Sequence, residues 1–195
     1  HSYEEALKNA LREAPDVIMI GEIRDRNTMK QAIAYAETGH LCLSTLHANN
    51  ANQAMERVIN FFPEEAHRQL LVDLSLNLAG VVSQRLIPGL HEKLVPAVEV
   101  MLNSSYISDL IAKGEFSGIK EAMGRSTEIG MCTFDQALYQ LYTEDRISLD
   151  EALHNADSRT DLALRVRLAA GVSTQDVGDL SIDTSSPIQS AARLA

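Results

Sequence analysis

The chain has no run of basic residues. Its 17 lysines and arginines are scattered and outnumbered by 27 aspartates and glutamates, for a formal charge of −10. Such a balance repels nucleic-acid phosphates, so no nucleic-acid partner is expected. Cysteine is scarce: Cys42 and Cys132 are the only two and form no CxxC pair. That excludes a four-thiolate zinc site and a disulfide framework, and it fits a reducing cytoplasm. No apolar stretch approaches the roughly 18 residues that a membrane helix needs, and no charged-then-apolar leader opens the chain, so direct membrane insertion is not expected. There is no internal repeat and no phosphate-binding G-x-x-x-x-G-K-[ST]. The nearest approach, G-I-K-E-A-M-G-R-S at 118–126, has one residue too many, arginine for lysine, and no strand before it. Without a G-x-S-x-G elbow, Ser44, His47 and an aspartate do not make a hydrolase triad. What is present, 195 residues with 45% hydrophobic and 23% charged, describes one globular domain or one domain with an appendage.

Ser2 and Glu5 form a capping box before a helical pattern that Pro15 ends. The chain begins at His1 rather than methionine, close to that helix start, which predicts residues upstream. Residues 17–20, V-I-M-I, are an apolar run suited to a strand buried on both faces. A helix over 27–38, stopped by Gly39, leads to a second strand over 40–46, so 17–46 reads as a strand-helix-strand unit. A polar corner at 47–50 opens another helix. Pro63 breaks it, a further helix is expected over 64–82, and strands over 85–88 and 94–102 flank a Pro88-Gly89 turn. Short helices are expected over 106–112, 119–123, 134–142, 149–154 and 162–170. After Gly171, serine, threonine, aspartate and glycine dominate, with too few apolar residues to offset the entropy of ordering. The expected architecture is an α/β core over 1–102, a helical subdomain over 103–171 and a flexible tail over 172–195.

Two polar corners carry the candidate chemistry. Glu22 lies just beyond the first buried strand, where open parallel sheets bind ligands. A carboxylate there can orient or deprotonate a water beside Mg²⁺-ATP; the plainer alternative is a surface glutamate paired with Arg24. In G-H-L-C-L-S-T-L-H-A-N-N at 39–50, Ser44, Thr45, His47, Asn49 and Asn50 gather hydrogen-bonding groups where a γ-phosphate or its attacking water can be sensed. The alternative for His47 is a helix-entry histidine. His40 and His47 are separated by an odd number of positions, so on a regular strand they face opposite ways and cannot share a metal. His67, His91 and His154 stand singly, Asp109, Lys113 and Glu115 read as a solvated helix end, and Cys42 reads as an inert buried thiol.

The runs A-P-D-V-I-M-I-G-E-I-R-D at 14–25, T-G-H-L-C-L-S-T-L-H-A-N-N-A at 38–51 and V-V-S-Q-R-L-I-P at 81–88 resemble the secretion ATPase superfamily. Within it the chain is similar, over about residues 1–170, to the PilT/PilU family of type IV pilus retraction ATPases. The resemblance implies the second half of a RecA-like core. It makes 17–22 a Walker B strand in which Gly21 replaces the usual acid and Glu22 is catalytic, and 40–47 a His box with His47 near the γ-phosphate. Arg24, Thr45 and Arg85 would lie near the nucleotide or a subunit boundary. The lack of a four-cysteine insert disfavours assembly and type II secretion motors. S-Y-I-S-D-L-I-A-K-G-E at 105–115, in place of the retraction motor's A-I-R-N-L-I-R-E, favours the PilU branch. M-C-T-F-D-Q-A-L at 131–138 and I-S-L-D-E-A-L at 147–153 also look like the retraction branch.

The resemblance further implies a hexameric, ATP-hydrolysing motor of pilus retraction and twitching motility. ATP would be its nucleotide, and Mg²⁺ would be held through ATP with no direct protein metal site. The ring would be a homo-hexamer or mixed with PilT, seated on the pilus platform protein at the cytoplasmic face of the inner membrane. The family's Walker A and aspartate boxes precede the point where this chain starts, so the 195 residues alone are expected to be inactive. The competing expectation is a PilT-dependent adaptor whose own hydrolysis is dispensable.

Overall fold

Strand β1 (Val17–Glu22) and strand β2 (Leu41–Thr45) pair in parallel, connected by the crossover helix α1 (Arg26–Glu37), in a computed structural model that describes residues 15–171. The helix expected before Pro15 and the tail expected over 172–195 lie outside the described residues. Asp25 starts α1 by accepting the Thr28 amide hydrogen at 2.9 Å, a bond that satisfies one of the orphan donors of a helix start. Gly39, at φ +91°, turns the chain out of the helix in a conformation that disfavours side-chain-bearing residues.

Among the described residues, the apolar run of β1 is covered on one face. Ile18 and Ile20 point into the core, whereas Val17 and Met19 are 51% and 75% exposed, and Leu41 and Leu43 of β2 are exposed beside them. A continuous apolar run looks the same in sequence whether one or both faces are covered, because alternation is hidden when both phases are apolar.

Helix α2 (Ala51–Asn60) and helix α3 (Glu64–Asn77) are divided at Pro63, which cannot continue a hydrogen-bonded helix. The second of these stops five residues short of the expected end. Strand β3 (Gly80–Pro88) begins instead and pairs antiparallel with β4 (Leu94–Leu102) in a separate two-stranded sheet. Gly80 lies so close to the partner strand that a Cβ there would sit 2.6 Å from the Met101 carbonyl oxygen. The β-branched Val81 and Val82 continue the ladder opposite Met101 and Val100.

The remaining helices, α4 (Ser105–Lys113), α5 (Ile119–Arg125), α6 (Phe134–Thr143), α7 (Leu149–Asn155) and α8 (Arg159–Ala169), match the five expected helical stretches. Ser104, Thr133, Ser148 and Ser158 cap four of them, Thr133 in a reciprocal box with Gln136. Two apolar clusters result. One joins β1, α1, α2 and α3 to Ile107, Ile111 and Met123; the other joins Ile87, Val95 and Ala97 of the hairpin to Phe134, Leu138 and Leu162. Both clusters therefore draw residues from before and after position 102. No helix among the described residues is long and apolar enough to cross a membrane.

Ile20 is fully buried, so Ile20→Ala is expected to lower unfolding stability by about 2–5 kcal/mol in urea denaturation. A loss well under about 1 kcal/mol would overturn the inward phase assigned to β1.

Candidate functional site

The parallel register runs from Val17 opposite Leu41 to Ile20 opposite Ser44, then skips: Glu22, not Gly21, lies opposite Thr45. Gly21 is thus the extra residue of a bulge, a device that re-aims the following side chain. Its carbonyl accepts the Thr45 hydroxyl hydrogen at 2.5 Å, and the Ile23 amide donates to the Thr45 carbonyl at 3.0 Å, pinning the two strand ends together. Glu22 emerges with its Oε1 3.0 Å from His47 Nε2 and its Oε2 2.5 Å from both Nε and Nη2 of Arg24. The glutamate side chain is only 20% exposed, while Arg24 and His47, at 77% and 79%, stand on its solvent side.

The Arg24 guanidinium holds the Glu22 carboxyl below the usual carboxylate range by donating to it; partial burial opposes this, and electrostatic attraction to Arg24, His47 and Arg57 adds to the lowering. At neutral pH Glu22 is therefore ionised and accepts hydrogen bonds. Because its folded pKa is depressed, the stability it contributes is present above the unfolded carboxylate pKa and is lost as pH falls through the lower folded value. An ionised carboxylate and a ring nitrogen at hydrogen-bond distance can together orient a water molecule and a developing negative charge.

His47 belongs to a corner fastened from several sides. The Asn50 carboxamide oxygen caps α2 by accepting from the Gln53 amide at 2.9 Å, and the Gln53 side-chain oxygen accepts from the Asn49 amide at 3.2 Å. The Ala51 amide donates to Glu99 at 2.7 Å. Arg85 Nη2 donates to the Asn49 carbonyl at 3.2 Å. Glu22, Arg24, Thr45 and His47 are brought together at the carboxyl ends of the two strands. Arg85 instead sits behind the corner on the inner face of the hairpin, bonded to the Asn155 carbonyl and Asp157.

The other polar candidates have local roles. His40 Nδ1 lies 3.0 Å from the Thr38 hydroxyl and 3.2 Å from the Tyr35 carbonyl, and His67 Nε2 lies 2.9 Å from the Phe62 carbonyl. Lys113 pairs with Asp109 on an exposed helix turn. Burial pushes the Cys42 thiol up, away from the thiolate a nucleophile needs. The glycine-containing stretch at 118–126 falls on α5, whose amides serve the helix. Among the described residues no three histidine, cysteine or acidic side chains converge to hold a metal ion.

Glu99 is a polar residue of this region that the sequence pattern does not single out. It alternates with Val95, Ala97 and Met101, the buried phase of β4, yet Val98, Val100 and Leu102 make the other phase equally apolar. The available signal is a lone acid inside a nine-residue apolar strand, which a strand can hold only if the carboxylate finds partners.

A strand, crossover helix and parallel strand with polar groups beyond their carboxyl ends is the arrangement in which open α/β sheets place ligands. Followed here by short helices, it is the second half of a RecA-like ATPase core. The chain belongs to the Type II/IV secretion system protein family, whose model matches residues 1–173. It is 59% identical over 170 residues to the type IV pilus ATPase PilU of Pseudomonas aeruginosa, covering 87% of this chain and 44% of that protein. To the type IV pilus retraction ATPase PilT of the same organism it is 37% identical over 154 residues, covering 79% of this chain and 45% of that protein. Among solved structures, the pilus retraction motor PilT with bound ADP superimposes with a TM-score of 0.75 at 36% identity, covering 84% of this chain and 46% of that one. The chain thus spans less than half the length of these relatives.

Since Arg24 is the largest cause of the depressed Glu22 pKa, Arg24→Ala is expected to raise the midpoint of the Glu22 carboxyl in an NMR pH titration toward the ordinary carboxylate value. An unmoved midpoint would mean that the Arg24 contact does not persist in solution.

Proposed function

We propose that this chain is the water-activating half of a type IV pilus ATPase, in which Glu22 orients and deprotonates the attacking water and His47 reads the γ-phosphate. The observation that carries the reading is the Glu22–His47 contact of 3.0 Å at the ends of two parallel strands. Phosphoryl transfer asks the protein chiefly to position the water and stabilise charge. A carboxylate held ionised by Arg24 is suited to orienting water first and taking its proton as the bond to phosphorus forms. His47 donates toward the equatorial oxygens, and Thr45, tied to Gly21, keeps the two strand ends at a fixed spacing. ATP is the substrate, and Mg²⁺ would be carried largely on its phosphate oxygens and waters. When bound, the ion offsets the charge that builds on the phosphates.

The similarity to PilU and PilT supports a ring at the pilus base that drives retraction and twitching motility, a homo-hexamer or one mixed with PilT. Such a ring would sit on the pilus platform protein at the inner face of the inner membrane. The core at 1–102 and the helices at 103–171 would be the two parts of each subunit. The alternative, an adaptor subunit acting through PilT, is supported by the departure at 105–115, which forms α4 and leaves Tyr106 exposed.

In the full-length protein, Glu22→Gln is expected to lower kcat for ATP hydrolysis by about 100-fold with KM little changed. Wild-type turnover in that variant would refute the assignment. If retraction in cells with active PilT survives Glu22→Gln, the adaptor reading replaces the motor. The 195-residue chain by itself, with no phosphate loop, is expected to show little or no turnover, and appreciable Glu22-dependent hydrolysis would overturn that expectation.

A further inference from the structure

Glu99 is 2% exposed. A carboxylate so deeply placed is costly unless donors meet it, and here the donors are the main-chain amides that open two different helices: Ala51 of α2 at 2.7 Å and Phe134 of α6. The positive ends of both helices converge on one carboxyl group. Burial pushes the Glu99 carboxyl up and the nearby Asp157 charge adds to that, while the two amides and Arg85 act in the opposite direction.

Arg85 stands on the same face of the hairpin. The register sets Arg85 opposite Ala97 and Ser83 opposite Glu99, so the two charged residues are diagonal neighbours. Its guanidinium lies 3.9 Å from the Phe134 ring centre. From there Nη1 donates to the Asn155 carbonyl at 2.7 Å, and Nη2 donates to Asp157 at 2.6 Å and to the Asn49 carbonyl at 3.2 Å. Asp157 is itself held: its amide donates to Asp135 at 2.7 Å, and Lys120 lies between Asp135 and Asp157, at 2.9 and 3.5 Å. One chain of hydrogen bonds thus runs from the corner bearing His47 to the ends of α6, α7 and α8.

We propose that Glu99 and Arg85 are positioning residues for the site, fastening the 47–50 corner to the last three helices so that His47 stays aimed at Glu22. This rests on the reading of Glu22 and His47 as the hydrolytic pair. Only a planar fork reaches two carbonyls and a carboxylate while stacked on a ring; lysine retains the charge of Arg85 and loses that geometry. Glutamine at 99 retains the shape of glutamate but replaces one accepting oxygen by an amide nitrogen, which cannot accept from a helix-start N–H.

The test is hydrogen exchange by mass spectrometry together with steady-state ATP hydrolysis, on full-length wild type, Arg85→Lys and Glu99→Gln. The expected result is exchange about tenfold faster in peptides covering 47–53, with 17–22 unchanged. In the same variants kcat should fall about 10- to 100-fold at constant KM, as misplacement of a reacting group would produce. Unchanged exchange at 47–53 in both variants would overturn the proposal, as would a raised KM at constant kcat, which would put Arg85 on the nucleotide. Faster exchange spread equally over 17–22 in both variants would reduce the pair to general stabilisation and also overturn it. If Glu99→Gln does not fold, Arg85→Lys decides alone, because its side chain is partly exposed and its ring contact can be kept. Should Glu22→Gln retain full turnover, the hydrolytic reading fails by itself, and the exchange data still decide whether the corner is fastened by this pair.

Discussion

The skipped residue in the β1–β2 ladder is the constraint on which the site depends. Parallel strands leave side chains alternating strictly between faces, so an uninterrupted ladder would pair Gly21 with Thr45 and carry Glu22 one step further along. The bulge instead sets Glu22 opposite Thr45 and closes the strand ends with the Thr45 hydroxyl bond to the Gly21 carbonyl. The Glu22 carboxylate at the end of the first strand and the His47 imidazole just past the second then meet, and Arg24, two residues on, lowers the carboxyl's pKa. The first strand supplies geometry through its buried phase and chemistry through its end.

Placement of the second partner is a longer-range matter. His47 lies just past β2, but its corner hangs on α2, on Glu99 in β4, and through Arg85 on the junction between α7 and α8. The two apolar clusters have the same character, each built from residues on both sides of position 102. A boundary that composition and element type suggest is therefore crossed both by hydrophobic packing and by a polar network in which Glu99 is buried and Arg85, Asp157 and Lys120 are partly exposed. Its buried member, Glu99, is costly to leave without donors, which favours the arrangement that supplies them.

Signals in the chain are legible where their cause is local. Asp25, Asn50, Ser104, Thr133, Ser148 and Ser158 are short polar side chains before helical patterns, and each caps the helix it precedes. Gly39 and Pro63 end helices for reasons contained in their own backbones. Where the structure departs from the sequence pattern, the cause is equally physical. Helical periodicity that extends into Val81 and Val82 takes no account of what β-branched residues gain by pairing with a strand still to come. The β1 run looks two-sided because Val17 and Met19 are as apolar as Ile18 and Ile20. Apolar residues in both phases of β4 hide which face Glu99 takes.

The sequence by itself determined that the protein is an acidic α/β chain with two polar corners at successive strand ends. It did so because breakers and apolar periodicity act within a few residues. Motif order then pointed to the secretion ATPase family, and the family match bears that out. Only the tertiary structure decided that Glu22 faces His47 across a bulge, that Arg85 turns from the strand ends toward Asn155 and Asp157, and that Glu99 joins two helix starts. These are contacts between residues tens of positions apart, set by strand register and by which face of a strand is buried, and neither is written in spacing along the chain.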